Sequence, residues 1–221
     1  MNTPKEINRV FLVADLSGYT ALTEAHGNIS AAKIVKRYFE IVKAILDDKA
    51  QLVDKVGDEV LVASENADEG IQIAIMLRDQ IEKEPNFPNV HIGIHAGCVV
   101  EQDGQYVGSA LNIASRVAAY ARAGQILCTE GVIELISNKD SYRYRSLGKI
   151  NFRNVIEPLS ILEIIDNLDK YEINVTDPVC RMLVKPEAAP AKLPFQGQTY
   201  YFCSFECVKA FTGNPLAYIP Q

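Results

Sequence analysis

Long apolar runs, basic clusters and an export leader are all missing from this chain of 221 residues. No stretch reaches the roughly 18 consecutive apolar residues that a membrane-spanning helix requires. The net charge is −6, and no run of lysine and arginine indicates a nucleic acid or an anionic membrane as partner. The first apolar run is short, contains Asp15 and precedes no small-residue cleavage site. We therefore expect a cytoplasmic protein that engages neither membrane nor nucleic acid.

The chain changes in composition near residue 170. The last 44 residues hold six of the ten prolines and three of the five cysteines. Residues 166–176 are mostly polar and resemble a linker. We predict a large domain at 1–168, a linker at 169–176 and a small domain at 177–221. An odd number of cysteines without an export signal favours free thiols or thiolate ligands over a disulfide framework.

The large domain alternates short apolar segments with amphipathic ones. Residues 10–16 predict a buried strand, and residues 30–49 carry apolar positions at helical spacing. Turn residues at 57–58 and at 103–104 each separate two short strands. Several hairpins mixed with helices predict an α+β fold in which helices pack on a largely antiparallel sheet.

Two aspartates lie at strand ends in this domain. Asp15 ends the first apolar strand, where a carboxylate is costly to bury without compensation, and Asp58 follows Gly57 in a hairpin turn. Carboxylates on neighbouring strand ends can hold two Mg²⁺ or Mn²⁺ ions, with substrate phosphates completing the coordination. Alternatively, Asp15 caps the next helix and Asp58 simply occupies a turn.

Two further segments could contact a phosphorylated substrate. The sequence after Asp15 starts a helix whose free backbone N–H groups would suit a triphosphate; its residues are Ser17, Gly18, Tyr19 and Thr20. Asn112 and Arg116 share one face of a helix, where they could orient a ribose and neutralise a transferring phosphoryl group. The alternative for this pair is a surface asparagine beside an arginine that extends from a packed helix to solvent.

Two other pairs of residues carry weaker signals. His91 and His95 are four residues apart on a strand, about 13 Å at roughly 3.3 Å per residue, so they should not share a metal. Cys98 and Cys128 lie in apolar strands, and we expect both to be core residues.

Four motifs together resemble the class III adenylate and guanylate cyclase catalytic domain over residues 8–165. They read FLVADLSGYTALTEAHG, KVGDEVLVAS, HIGIHAGCVV and GQYVGSALNIASRVAAYA. The resemblance implies a ferredoxin-like α+β domain that forms a head-to-tail homodimer with active sites between subunits. It further implies a nucleoside triphosphate substrate, whose 3′-hydroxyl attacks its own α-phosphate and releases pyrophosphate.

Matching the motifs by position transfers the family's roles to this sequence. Asp15 and Asp58 correspond to the metal ligands, Asn112 to the ribose-orienting residue, and Arg116 to the residue that stabilises the transition state. Two base-selecting positions depart from the pattern, because Asp54 replaces the adenine-selecting lysine and Gln105 replaces a frequent Asp or Thr. Lys55 is adjacent to Asp54, but side chains alternate along a strand, so it should face the other way. An acidic residue at 54 suits guanine better than adenine.

The C-terminal segment resembles a YHS domain over residues 177–219, through DPVCRM and GQTYYFCSFECVKAFTGNPLAYI. Cys180, Cys203 and Cys207 could form a thiolate site for Zn²⁺ or Cu⁺. The Tyr-His-Ser segment that names the domain is replaced by PFQG, so a fourth ligand would be water, Met182 or a partner chain. Alternatively, the cysteines are reduced thiols packed under aromatic residues.

Three functions remain open from the sequence. The chain could be a homodimeric cyclase in intracellular signalling that responds to metal or redox state at the small module. It could instead be a catalytically inactive cyclase-like protein that dimerises, binds nucleotide and regulates, or a metal-handling protein with the large domain as platform. Retention of all four chemical positions favours the cyclase.

Overall fold

The computed structural model describes residues 3–47, 50–165 and 174–219. Within these ranges the strands are β1 Lys5–Leu16, β2 Gln51–Val56, β3 Glu59–Ser64, β4 Val90–Gln102, β5 Gln105–Val107, β6 Ile126–Thr129, β7 Arg143–Ile150, β8 Leu159–Ile165, β9 Val175–Thr176, β10 Leu183–Val184, β11 Ala191–Phe195 and β12 Gln198–Phe202. The α-helices are α1 Tyr19–Leu46, α2 Ala67–Lys83, α3 Ser109–Tyr120, α4 Glu130–Leu135 and α5 Phe205–Gly213.

One eight-stranded sheet forms the centre of the large domain. Its strand order is β2-β3-β1-β4-β6-β8-β7, with β5 paired to β4. The β4–β6 pair is parallel, and the other pairs of this sheet are antiparallel. Helices cover both faces of the sheet, so the predicted α+β fold is confirmed.

The alternation of side chains along β1 explains the two covered faces. Leu12 and Leu16 pack into the core formed with α1, α2 and α4. Phe11 and Val13 pack into a second core with the alanine-rich face of α3. The helix α3 lies so close to β4 that a Cβ added at Gly93 would be 2.1 Å from the backbone nitrogen of Ala118.

The first helix carries a kink near its beginning. Gly27 has φ 76° and ψ 161° inside α1, which divides the helix into a short first segment and a long second one. Glycine adopts this backbone conformation without the steric cost that a Cβ would add. The short segment therefore has its own direction, and the small domain packs against it.

The small domain consists of two hairpins, β9–β10 and β11–β12, followed by α5. Its core is shared with the large domain, because Leu22 and Ala31 of α1 belong to the same buried cluster as Phe202 and Phe211. A backbone hydrogen bond of 3.0 Å from the Leu183 N–H to the Phe87 carbonyl adds a second contact.

The boundary between the two domains falls largely outside the described residues. Of the predicted linker at 169–176, positions 169–173 are not described, and the strand β9 occupies its last two positions. Within the described part of the chain, no helix has both the length and the apolar character to cross a membrane.

Candidate active site and thiol cluster

Asp15 and Asp58 meet at one end of the central sheet. Asp15 is the penultimate residue of β1, opposite Glu59 of β3 and His91 of β4. Asp58 lies in the two-residue turn between β2 and β3, after Gly57 with φ 63°. A hydrogen bond joins the two carboxyl groups. The structure thus brings together the two residues that the sequence predicts as metal ligands.

Partial burial raises the pKa of both carboxyl groups. Burial and the adjacent Asp15 charge raise the pKa of Asp58 to about 6. Burial also raises the pKa of Asp15, although the hydrogen bond from Asp58 acts in the opposite direction. Burial and the Asp58 charge raise the pKa of the neighbouring Glu59 too. Concentrated negative charge of this kind, built from oxygen donors, fits hard divalent cations such as Mg²⁺ or Mn²⁺.

His91 is a residue of this site that sequence reasoning missed. Its Nε2 lies 3.4 Å from Asp15 Oδ2, and its Nδ1 lies 3.1 Å from Ser17 Oγ. Burial lowers the pKa of His91, which favours the neutral ring. His95 has a different partner, because its Nδ1 lies 2.9 Å from Thr129 Oγ1. The pairing of β1 with β4 would have indicated that His91 adjoins Asp15.

The turn after Asp15 begins α1, as the sequence predicts. Gly18 is its N-cap residue, with φ 80°, and its carbonyl accepts the Leu22 N–H at 2.9 Å. The Ser17 N–H donates to the Asn89 carbonyl at 2.7 Å, so this group already has a partner within the chain. Tyr19 and Thr20 occupy the first helical turn, where backbone N–H groups have no intrahelical acceptor.

The small domain lies directly against this turn. A Cβ added at Gly18 would be 2.5 Å from Arg181 Cγ and 2.7 Å from Arg181 Cβ. The aliphatic part of the exposed Arg181 side chain therefore packs against the candidate phosphate-binding turn. Arg181 itself has φ 66°, a left-handed conformation that is uncommon for residues other than glycine.

Asn112 lies on α3, on the other side of the sheet from α1. It lines a pocket of about 240 Å³ together with Asp54, and neither Asp15 nor Asp58 is among the described residues that line this pocket. Arg116 Nη1 donates to the Asn112 carbonyl at 3.2 Å. Within one chain the structure thus brings Asn112 to Asp54, and the aspartate pair lies outside that pocket.

The two base-selecting positions lie on different strands. Asp54 is exposed beside a bulge in β2, and its Oδ1 accepts the Lys55 N–H at 2.7 Å. Lys55 Nζ lies 5.2 Å from the ring centre of Phe39 on α1, so Asp54 and Lys55 do face opposite ways. Gln105 is exposed on the short strand β5, opposite Gln102.

The three cysteines of the small domain converge as the sequence predicts. Cys180 Sγ is 3.3 Å from Cys203 Sγ, which is 3.8 Å from Cys207 Sγ. His26 of α1 also joins them, with its Nε2 3.6 Å from the sulfur atoms of both Cys203 and Cys207. His26 is not among the fourth ligands that the sequence suggested, and Met182 packs in the shared apolar core.

The sulfur atoms form a hydrogen-bonded group. Hydrogen bonds with Cys180 and Cys203 lower the pKa of Cys207. Hydrogen bonds with Cys203 and, to a lesser extent, with Cys207 raise the pKa of Cys180. Of the three thiols, Cys207 is therefore the one whose pKa is lowered, and sulfur donors next to an imidazole fit Zn²⁺ or Cu⁺.

The two remaining cysteines differ from each other in exposure. Cys128 is buried in β6, as expected, and burial raises the pKa of its thiol to about 12. The prediction for Cys98 is wrong, because its side chain is exposed. It lies near the end of β4 next to the peripheral strand β5, where apolar neighbours in sequence do not ensure burial.

Solved cyclase structures share the fold of this chain. The adenylyl cyclase CyaB from P. aeruginosa superposes with a TM-score of 0.67 and 20% identity, over 77% of this chain and 100% of that one. The guanylate cyclase domain of RhGC from Catenaria anguillulae, solved in complex with GTP, superposes with a TM-score of 0.65 and 18% identity. That match covers 74% of this chain and 99% of the other.

Curated relatives resemble the large domain. An adenylate cyclase from Anabaena cylindrica is 27% identical over 69% of this chain and 36% of its own length. An adenylate cyclase from Streptomyces coelicolor is 31% identical over 58% of this chain and 34% of its own length. The alignments thus span about a third of each relative.

Family models match both parts of the chain. The model of the adenylate and guanylate cyclase catalytic domain matches residues 3–162, and that of the YHS domain matches residues 175–221. The first match covers well over half of the chain. This protein therefore belongs to the adenylate and guanylate cyclase catalytic domain family, with a YHS domain following the catalytic domain.

Proposed function

We propose that the chain is a nucleotidyl cyclase in intracellular signalling, which converts GTP or ATP to the 3′,5′-cyclic monophosphate and pyrophosphate. The 3′-oxygen forms a bond to the α-phosphorus and loses its proton to water, while the bond from that phosphorus to the oxygen that bridges it to the β-phosphorus breaks. Pyrophosphate leaves with that oxygen. The observation that carries the proposal is the contact between the carboxyl groups of Asp15 and Asp58, beside the start of α1. Five free thiols suit the reducing cytoplasm in which we place the protein.

The aspartate pair fits the metal use that the family implies. Two Mg²⁺ or Mn²⁺ ions held there would stabilise the attacking oxygen and the departing pyrophosphate. Binding of such cations would lower the pKa of Asp15 and Asp58, because opposite charge favours the ionised carboxylates. His91 would orient Asp15 through their 3.4 Å contact. The first turn of α1, at Tyr19 and Thr20, would donate backbone N–H groups to the phosphates.

We further propose that two subunits pair head to tail and complete each active site between them. Asn112 would orient the ribose and Arg116 would neutralise charge on the α-phosphate, opposite the aspartates of the other subunit. The pocket lined by Asn112 and Asp54 supports this arrangement, since its 240 Å³ is below the roughly 300–1,000 Å³ of complete ligand sites. A second subunit would enclose it.

The nucleotide base is the least determined part of the substrate. The Asp54 carboxylate could accept hydrogen bonds from guanine N1–H and N2–H₂, whereas adenine N1 offers no donor. Gln105 can donate and accept, so it suits either base. We therefore favour GTP as substrate, although the curated relatives described above are named adenylate cyclases.

We propose that the small domain modulates the reaction. Arg181 touches Gly18 at the turn where the phosphates would bind, and it directly follows Cys180 of the thiol cluster. A change of metal or redox state at the cysteines would shift Arg181 relative to the phosphates. We propose that this contact makes turnover depend on the state of the small domain.

The departures at Asp54 and Gln105 favour one other function. A chain with an altered base pocket could bind nucleotide and dimerise without turnover, as a regulator coupled to metal sensing. Incubation of the purified chain with Mn²⁺ and either GTP or ATP, with products identified by mass spectrometry, separates the two functions. We expect a cyclic monophosphate and pyrophosphate, most readily from GTP. Nucleotide binding without either product would support the regulator and reject the cyclase.

A further inference from the structure

We propose that His26 of the catalytic domain completes a tetrahedral Zn²⁺ site with Cys180, Cys203 and Cys207, so that one metal ion joins the two domains. The site goes beyond the proposed cyclase activity and does not depend on it. Among the described residues, the YHS domain contributes the three cysteines of this group and the catalytic domain contributes the fourth ligand. His26 is the only one of the four that belongs to the catalytic domain.

The distances between ligand atoms match those of a tetrahedral zinc site. Zn–S bonds of about 2.3 Å and Zn–N bonds of about 2.0–2.1 Å place sulfur atoms about 3.8 Å apart and nitrogen about 3.6 Å from sulfur. The observed Cys203–Cys207 separation is 3.8 Å. Both separations from His26 Nε2 are 3.6 Å. The Cys180–Cys203 separation of 3.3 Å is shorter, and all four ligand atoms lie within 4.8 Å of one another.

Buried hydrogen bonds hold the cysteines in position. Asp177 has 0% exposure, and its Oδ1 accepts the Val179 N–H at 2.8 Å and the Cys180 N–H at 3.4 Å. Its Oδ2 accepts the Cys203 N–H at 2.8 Å. One carboxylate therefore fixes the two chain segments that carry Cys180 and Cys203. Such outer-shell contacts are typical of built metal sites.

The positions of Cys207 and His26 are also set by the fold. Cys207 lies in the first turn of α5, and its N–H donates to the N-cap Ser204 Oγ at 3.2 Å. A helix N-terminus favours a thiolate. His26 lies one residue before the Gly27 kink, on the short segment of α1 whose Leu22 packs into the shared core. The apolar contact thus brings the imidazole to the sulfur atoms.

The test compares full-length wild type with His26→Gln, and uses Glu24→Gln as matched control. Glu24 is exposed on the same helical segment, so the control makes a glutamine substitution without removing a ligand. We expect wild type and control to bind one Zn²⁺ per chain, with three sulfur and one nitrogen ligand in X-ray absorption. In His26→Gln we expect Zn²⁺ affinity, measured against a competing chelator, to fall at least about 100-fold, since even outer-shell changes cost about 10–100-fold.

Cobalt substitution supplies a readout independent of affinity. The Co²⁺ d–d bands of wild type should indicate a tetrahedral site, and those of His26→Gln should shift because water replaces imidazole. His26→Cys should restore tight binding with a four-thiolate spectrum, which excludes misfolding as the cause of the loss. Unchanged zinc affinity and an unchanged cobalt spectrum in His26→Gln would overturn the proposal, as would the absence of a stoichiometric Zn²⁺ site in wild type.

Discussion

The aspartate pair and the thiol cluster offer different ligand atoms, although the stretch of chain from Asp15 to His26 contributes a residue to each. The pair offers oxygen ligands at one end of the central sheet and draws both from the large domain. The cluster offers three sulfur atoms and one nitrogen, drawn from both domains. Hard cations suit the first and zinc the second, so one short segment can serve two metals without competition. The comparison shows that ligand chemistry distinguishes the two sites.

Removing one aspartate should have the largest effect on turnover, because it removes a metal ligand from the aspartate pair and leaves the thiol cluster intact. For Asp15→Asn and for Asp58→Asn we expect kcat to fall at least about a thousandfold, since the metal ions contribute several kcal/mol to transition-state stabilisation. Steady-state assays of cyclic product with Mn²⁺ measure this. The exposed Asp140→Asn, outside both sites, should retain wild-type turnover. Normal activity in either site variant would exclude that residue as an essential ligand.

Mixing inactive variants should distinguish a site shared between subunits from a site within one chain. Asp58→Ala and Arg116→Ala should each be inactive alone. Equal amounts, once subunits exchange, should regain about a quarter of wild-type activity, because half the dimers are mixed and each has one intact site. Turnover of the mixture, with exchange verified by mass spectrometry, provides the measurement.

Mixing two variants of the thiol cluster should not restore function. His26→Gln mixed with Cys203→Ser should not regain tight zinc binding, since all four ligands come from one chain.

A mixture of the Asp58→Ala and Arg116→Ala variants that stays inactive despite subunit exchange would contradict the shared active site.

Truncating the Arg181 side chain should weaken the contact between the small domain and the candidate phosphate-binding turn. In Arg181→Ala we expect KM for the nucleotide to rise about fivefold with kcat nearly unchanged, because one solvent-exposed contact to phosphate contributes about 1 kcal/mol. Arg181→Lys should retain most of the affinity, since it keeps the charge. Nucleotide titrations of turnover test both variants. Equal KM values in all three proteins would show that Arg181 does not contact the phosphates.

The smallest expected effect concerns the stability of the metal-free protein. The pKa of Asp58 is about 6 in the folded chain, above its ordinary value of 3.8, so folding favours the protonated form. That contribution to stability is fully present below pH 4 and is lost as the pH rises through 6. Asp58→Asn, which cannot ionise, should therefore gain about 1 kcal/mol over wild type between pH 4 and 7, with solvent screening taken into account.

Urea unfolding in the presence of a chelator measures this difference. It should diminish when Mn²⁺ is added, because bound cations compensate the wild-type carboxylates. A constant difference across the pH range would show that Asp58 ionises as an ordinary surface residue.

Local patterns predicted much of the fold and of the oxygen site. Alternation along β1 and the turn at Gly57 placed Asp15 and Asp58 at strand ends, where the structure has them. The register of β1 with β4, which brings His91 to Asp15, is a long-range property that no short pattern encodes. Likewise, 177 positions separate His26 from Cys203, and only the packing of the small domain on α1 brings them together. Cys98 shows the converse, since an apolar stretch did not imply burial.

Element-specific anomalous diffraction tests the two-site account most directly. Crystals of the full chain would be grown with Zn²⁺, Mn²⁺ and a non-reactive triphosphate analogue, and data collected at each metal's absorption edge. The account predicts a zinc peak among His26, Cys180, Cys203 and Cys207, and manganese peaks between Asp15, Asp58 and the analogue's phosphates. A thiol cluster without zinc, or manganese bound away from the aspartates, would contradict it.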